Sequence, residues 1–248
     1  LPASVISGMT QSTDNLIWIT TWNGLSCYDG YRFTTFRNIP GHDSQLTTNH
    51  LISVMPATDG NLWTTAYTDD VYMFDSHKCQ YVNVSALITK KFQSKFSLRK
   101  IYPLANGDTW VVGKYNEHYH MAKGDSDSDR DIRQFTLPGT LNKVVLDGFG
   151  DEWLFCDQGA FVYTEKGNPR QVTRLWVDFV EKIGNTLWLV TVDGKILHMK
   201  RGGKPAEVRL ANKVDKVKEV KVIKGRMLAL ATDRGVLVYD TKTGHDRL

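Results

Sequence analysis

Apolar and polar positions along this 248-residue chain fall into short runs, most of them closed by Gly, Asn or Asp. Runs rich in Val, Ile, Leu and aromatic residues and bounded by turn formers predict β-strands and hairpins. No segment longer than two helical turns keeps a convincing 3.6-residue spacing, so helical repeats are not expected. The pattern recurs with tryptophan as its marker. Trp18, Trp63, Trp110, Trp153 and Trp188 each follow a Gly/Asn/Asp-rich turn and open a short β-prone run. A sixth copy, Gly225 to Thr232, places Ala229 in the tryptophan slot, its register set by the Thr-to-Gly spacing that Thr232–Gly235 shares with Thr21–Gly24 and Thr191–Gly194. Successive slots are 45, 47, 43, 35 and 41 residues apart, and periods near 40–45 residues indicate a propeller or solenoid.

Each period has room for four strands. Upstream of the slots lie Val5–Met9, Leu51–Met55, Leu98–Leu104, Val144–Leu146, Val177–Ile183 and Val217–Ile223. After the turn comes a second run, as in Leu25–Tyr28, Val71–Phe74, Ala160–Tyr163, Lys195–His198 and Val236–Tyr239; three of these end in Tyr-Asp or Phe-Asp. A fourth run is clearest at Tyr31–Phe36 and weaker at Ile132–Leu137, Gln171–Leu175 and Glu207–Leu210. Four strands per period define a propeller blade. The expectation is an all-β fold, a β-propeller of about six four-stranded antiparallel blades in a single region, 1–248. The five tryptophans are read as structural core: a flat side chain on an inner strand fills the wedge between neighbouring sheets and buries roughly 150–250 Å².

Composition sharpens this picture. With 41% hydrophobic and 23% charged residues, the chain can form a sizeable core and is too apolar to be disordered. No apolar run reaches the roughly 20 residues that span a bilayer, and Leu1-Pro2-Ala3-Ser4 lacks the parts of a signal peptide. Cys27, Cys79 and Cys156 lie far apart and are odd in number, which argues against a disulfide scaffold or a zinc site. Net charge is +4, yet residues 195–248 hold 14 Lys/Arg against 6 Asp/Glu. Those basic residues alternate with valines and lack interleaved aromatics for stacking on bases, so a solvated face is expected and no direct nucleic-acid contact.

The stretch Leu16-Ile17-Trp18-Ile19-Thr20-Thr21-Trp22-Asn23-Gly24-Leu25, continuing to Tyr28-Asp29 and followed by Asp59-Gly60-Asn61-Leu62-Trp63, resembles the two-component regulator propeller repeat. That repeat reads roughly Leu-Trp-Ile-Gly-Thr, two variable residues, Gly-Leu, then Tyr-Asp. Thr20 replaces its usual Gly, Asp69-Asp70 stands for Gly-Leu in the second copy, the third keeps little beyond Trp110, and the sixth loses the tryptophan. The resemblance implies a fragment of the periplasmic sensor region of a Bacteroides-type hybrid two-component system, whose full-length protein is a sensor histidine kinase. It also implies an oligosaccharide ligand, a receptor homodimer, and membrane attachment only through downstream segments. Only eight residues follow Tyr239-Asp240, too few for a well-formed fourth strand in the sixth blade, so either the N-terminal segment closes a six-bladed ring or, the favoured expectation, further sequence completes the propeller.

Strands running outward from an axis put the turns between second and third strands on one face, with the connections between blades. That face gathers Trp22, Asn23, Tyr67, Thr68, Tyr115, Asn116, Asp157, Gln158, Asp193, Arg234 and the loop from Asn38 to Asn49. Trp22, Asn23, Tyr67, Tyr115, Asp157, Asp193 and Arg234 are the candidate ligand-binding residues, with Trp22 and Tyr67 foremost. An exposed ring beside amides and carboxylates suits a pyranose, whose apolar face packs on the ring while its hydroxyls take hydrogen bonds. No catalytic residue, cofactor or metal is expected. His118 and His120 alternate along a strand, but spacing assigns them no third ligand. Asp125–Asp129 imitates the opening of a calcium loop, and the motif fails because Arg130 takes the glycine position and Thr136 the bidentate Glu position. Three functions compete: a non-catalytic sensor of oligosaccharides, a propeller enzyme such as a polysaccharide or lactone lyase, and a protein-binding scaffold.

Overall fold

The computed structural model describes residues 4–41, 45–57, 60–123, 131–164 and 167–248. The acidic run 125–129 with Arg130, and Asp59 of the second tryptophan motif, lie outside them. The described residues form six four-stranded antiparallel sheets, each with its strands in chain order. These are the blades of an all-β propeller. The chain divides into two compact units, Leu1–Thr136 and Leu137–Leu248, each with three blades. No helix among the described residues is long and apolar enough to cross a membrane.

In unit 1 the first blade comprises β1 (Ile6–Gln11), β2 (Ile17–Thr21), β3 (Gly24–Tyr28) and β4 (Phe33–Phe36). The second comprises β5 (Leu51–Pro56), β6 (Leu62–Ala66), β7 (Val71–Asp75) and β8 (Gln80–Asn83), and the helix α1 (Val84–Phe92) follows it. The third comprises β9 (Leu98–Pro103), β10 (Thr109–Gly113), β11 (His118–Met121) and β12 (Ile132–Phe135). In unit 2 the fourth blade holds β13 (Leu141–Leu146), β14 (Glu152–Cys156), β15 (Gly159–Tyr163) and β16 (Arg170–Thr173). The fifth holds β17 (Val177–Ile183), β18 (Thr186–Thr191), β19 (Ile196–Lys200) and β20 (Ala206–Glu207). The sixth holds β21 (Val217–Ile223), β22 (Met227–Thr232), β23 (Gly235–Asp240) and β24 (Asp246–Arg247).

Each unit is held together by wedges between consecutive sheets. Trp18 of β2 packs with Leu51, Leu62 and Phe74 of the second blade, its ring 5.5 Å from that of Phe74. Trp63 of β6 packs with Leu98, Val111 and Tyr119 of the third. In unit 2, Trp153 of β14 packs with Val180, Leu189 and Leu197 of the fifth blade, and Trp188 of β18 with Val220, Leu230 and Tyr239 of the sixth. Trp110 is also fully buried, against His120 and Phe135 of its own sheet. The slot residue Ala229 is only half-buried, on a sheet where Val236 is 57% exposed.

Several strands differ from the expected ones. The sixth blade does acquire a fourth strand, though only Val238 with Arg247 and Tyr239 with Asp246 pair. The fourth strand of the fifth blade is Ala206–Glu207, earlier than the apolar run 207–210. Neither β8 nor α1 was expected from the sequence; Asn83 caps α1 by accepting from the Ala86 amide at 2.9 Å. The Tyr-Asp and Phe-Asp signatures prove to be turn locks: Asp29, Asp75 and Asp240 each accept two backbone amides two and three residues on.

Two repeated features shape the end of each blade where the candidate residues sit. First, all six pairings of first and second strands carry a register shift there, which skips Ser7, Ile52, Arg99, Asn142, Asp178 and Lys218 in turn. Such bulges sharpen the local twist and re-aim neighbouring side chains. Second, a residue of positive φ always stands in the turn between second and third strands or opens the third strand: Gly24, Asp69, Asn116, Gly159, Gly194 and Gly235. Asp and Asn tolerate positive φ better than other non-glycine residues, so the Asp69-Asp70 departure from the repeat keeps the turn.

Candidate functional site

In unit 1 the turns of the first two blades are bridged by the segment that leads into β5. The Gly24 amide donates to the Asn49 carbonyl at 2.8 Å, and the Tyr67 amide donates to the His50 carbonyl at 3.2 Å. Asn49 is itself fixed, its side chain accepting from the Asn38 amide at 2.6 Å and donating to the Asn38 carbonyl at 3.0 Å. The preceding loop is anchored by Leu46, which is fully buried, and by Thr47, whose hydroxyl lies 2.6 Å from that of Tyr72.

This frame brings three rings together, Trp22 tilted 44° to His50 and His50 stacked on Tyr67. Trp22 lies 4.5 Å from His50 between ring centroids, and His50 lies 4.8 Å from Tyr67 with planes 26° apart. Trp22 is 56% and Tyr67 60% exposed, while His50 between them is half-buried. Polar groups border the ladder: Asn23, whose amide donates to Thr21 Oγ1 at 3.0 Å, and Arg37, which reaches Asn23 Oδ1 at 3.5 Å. The next turn continues the surface, because Lys114 is ion-paired with Asp69 and the Leu98 amide donates to the Asp69 carbonyl at 2.8 Å. Tyr115 on that turn is 82% exposed, its amide held by Glu117 Oε2 at 3.0 Å.

In unit 2 the same end of the fifth and sixth blades forms a groove of about 450 Å³ lined by Leu175, Trp176, Val192, Asp193, Asp215 and Lys216. Trp176 is 54% exposed. It precedes β17 as His50 precedes β5, and its carbonyl accepts from the Val192 amide at 3.3 Å. Arg234 binds Asp215 at 2.6 Å, which brings it to the rim of the groove. Asp157 plays a different part: its carboxylate accepts from the Thr140 amide at 2.8 Å and ties its turn to the segment leading into β13.

Of the seven residues singled out from sequence, Trp22, Asn23 and Tyr67 therefore share one surface in unit 1, with Tyr115 on the adjoining turn. Asp193 and Arg234 flank one groove in unit 2, and Asp157 stands outside it. His50 and Trp176 were missed. Their signal is positional, since each is the ring-bearing residue directly before a first strand. His118 and His120 are both buried in β11. Burial lowers the His118 pKa and keeps its imidazole neutral, while His120 Nε2 lies 3.7 Å from Asp108.

No protein-family model matches the sequence, and no curated protein matches it. Among solved structures the chain is similar to virginiamycin B lyase from Staphylococcus aureus, with 17% identity, 95% of this chain and 84% of that one covered, and a TM-score of 0.51. It is similar to the extracellular domain of a one component system from B. thetaiotaomicron, with 17% identity, 99% and 33% covered, and a TM-score of 0.53. The C-terminal WD40 domain of Sif2 matches with 13% identity, 98% and 70% covered, and a TM-score of 0.56. Likeness at such identities shows the propeller fold, which hosts unrelated functions. The chain spans about a third of the length of the Bacteroides domain.

Proposed function

We propose that this chain is a non-catalytic sensing module of a periplasmic receptor of the hybrid two-component type, and that it detects oligosaccharides. The observation that carries the reading is the ladder Trp22–His50–Tyr67. Outer faces of two large rings, held open to water by a hydrogen-bonded backbone frame, offer platforms for pyranose rings, and Asn23 and Arg37 supply donors and acceptors for hydroxyls. Tyr115, Asp193 and Arg234 extend the same chemistry along the ends of their own blades. The likeness to an extracellular domain of a Bacteroides system supports a place outside the cytoplasm, and the repeat resemblance supports a receptor homodimer. Signalling requires that the ligand bind two receptor states with different affinity.

The virginiamycin B lyase likeness keeps an enzyme as the second reading. Calorimetric titration of an oligosaccharide panel, with chromatography of the titrated sugars and a parallel run in chelator, separates the two. Binding without product is the expected result. Metal-dependent product formation would establish the lyase, and silence towards every sugar would leave a scaffold for protein partners.

A further inference from the structure

We infer that the Trp176 groove of unit 2 is a separate subsite that takes an acidic sugar, a uronate residue, by its ring and its carboxylate together. This rests on the sugar-binding reading above and adds to it a ligand class and a location. The groove is built on paired backbone: the Val177 amide donates to the Leu175 carbonyl at 3.0 Å and the Val217 amide to the Val192 carbonyl at 2.9 Å. These bonds join the segments that wall the groove, and the exposed indole of Trp176 beside Leu175 and Val192 forms its apolar face.

Charge decides the class. Asp193 meets the Thr191 hydroxyl at 2.5 Å and the Lys195 ammonium at 3.8 Å; Asp215 meets Arg234 at 2.6 Å and Lys213 at 3.8 Å. Both carboxylates thus have cations of their own and do not call for a cationic ligand. Lys216 also lines the groove and is exposed; its charge acts on Asp233 from beyond ion-pair distance, and it enters no direct ion pair among the described residues. An anion is what remains to be matched, in a stretch that already holds 14 Lys/Arg against 6 Asp/Glu. A uronate ring lying on Trp176 would set its carboxylate against Lys216 and offer hydroxyls to the free lone pairs of Asp193 and Asp215.

The test compares tri-galacturonate with its methyl ester, which has the same skeleton without the charge, by calorimetry on the whole chain. The acid should bind about tenfold more tightly than the ester, the scale of one charge-assisted contact, and the preference should shrink with added salt. Lys216→Gln should abolish the acid-over-ester preference, and Trp176→Ala should weaken both ligands. An unchanged preference in Lys216→Gln, or unchanged affinities in Trp176→Ala, overturns the subsite. If Trp22→Ala alone removes binding, the subsite fails while the sensor reading stands. If neither galacturonate binds while another sugar of the panel does, the subsite fails and the sensor reading stands; if no sugar of the panel binds the wild-type chain, both fall.

Discussion

Removing the Trp153 indole tests the wedge between blades at a fully buried position. Trp153 is 1% exposed and packs on Val180, Leu189 and Leu197 of the next sheet. Its Nε1 donates at 2.8 Å to Asp147, whose other oxygen accepts from the Phe149 amide at 2.7 Å and the Asp151 amide at 3.1 Å. Asp151 in turn holds Arg201 by two bonds, at 2.7 and 2.6 Å. Trp153→Ala loses the ring and leaves a cavity, at a cost of about 3–5 kcal/mol for a buried Trp. For a chain of this size each kcal/mol lowers Tm by about 2–4 °C, so a fall of roughly 6–20 °C is expected. Trp153→Phe keeps a ring in the wedge and removes the donor, leaving a buried carboxylate oxygen short of a partner at about 1–3 kcal/mol. Thermal melts followed by circular dichroism should rank wild type above Phe and Phe above Ala. A Trp153→Ala melt within a degree or two of wild type would refute the wedge, and equal losses in the two variants would assign the stability to the hydrogen bond.

Three further outcomes follow from the same structure. Backbone amides hold the Asp29 and Asp240 carboxyls below the usual range, and the Lys78 and His77 amides do the same for Asp75 against the opposing effect of burial. Groups lowered on folding contribute stability that is complete above the unfolded value near ~3.9 and is lost as pH falls through the lowered folded values; burial of neutral His118 already costs stability as the unfolded imidazole protonates below pH ~6.5, so urea midpoints should fall modestly from pH 7 to 5 and drop further below pH ~4, and a midpoint that rises on acidification would contradict this. Gly159 has φ +121°, and a Cβ there would lie 2.1 Å from the Thr173 carbonyl oxygen, so Gly159→Ala should destabilise by at least about 1–3 kcal/mol, read from its denaturation midpoint. Burial pushes the Cys156 thiol up to about 12 whereas Cys79 is exposed, so iodoacetamide near neutral pH should label Cys79 in the native protein and Cys156 only in denaturant.

The repeat was legible because a blade reuses one local rule. A turn former, an indole and a run of β-branched residues must recur wherever a sheet packs on the next, so β17 and β21 coincide with the apolar runs 177–183 and 217–223. Outer strands carry less information. β20 and β24 pair through two residues each, and neighbours rather than composition decide where such strands begin. The helix α1 escaped because it is only nine residues long and buries Val84, Ser85 and Ile88, too few contacts to impose a period. The exposed rings Trp22 and Tyr67 were found because the hairpin turns fix which end they occupy. His50 reads as a lone histidine in a polar loop, and its place between two rings depends on the bond from the Gly24 amide of the first blade to its neighbour Asn49 and on the bond from the Tyr67 amide to its own carbonyl. Trp176 reads as the continuation of an apolar run, since nothing local shows that Leu175-Trp176-Val177 opens onto a groove.

The central claim is that exposed rings at one end of the blades recognise a sugar without changing it. Its most direct measurement is the affinity of the best ligand in the oligosaccharide panel for Trp22→Ala and Tyr67→Ala, each first shown by circular dichroism to melt with the wild type. Stacking on a ring is worth about 0.5–1.5 kcal/mol or more, so each variant should bind roughly 3- to 10-fold more weakly, with no product formed. Wild-type affinity in both variants, or conversion of the sugar during the titration, would contradict the account.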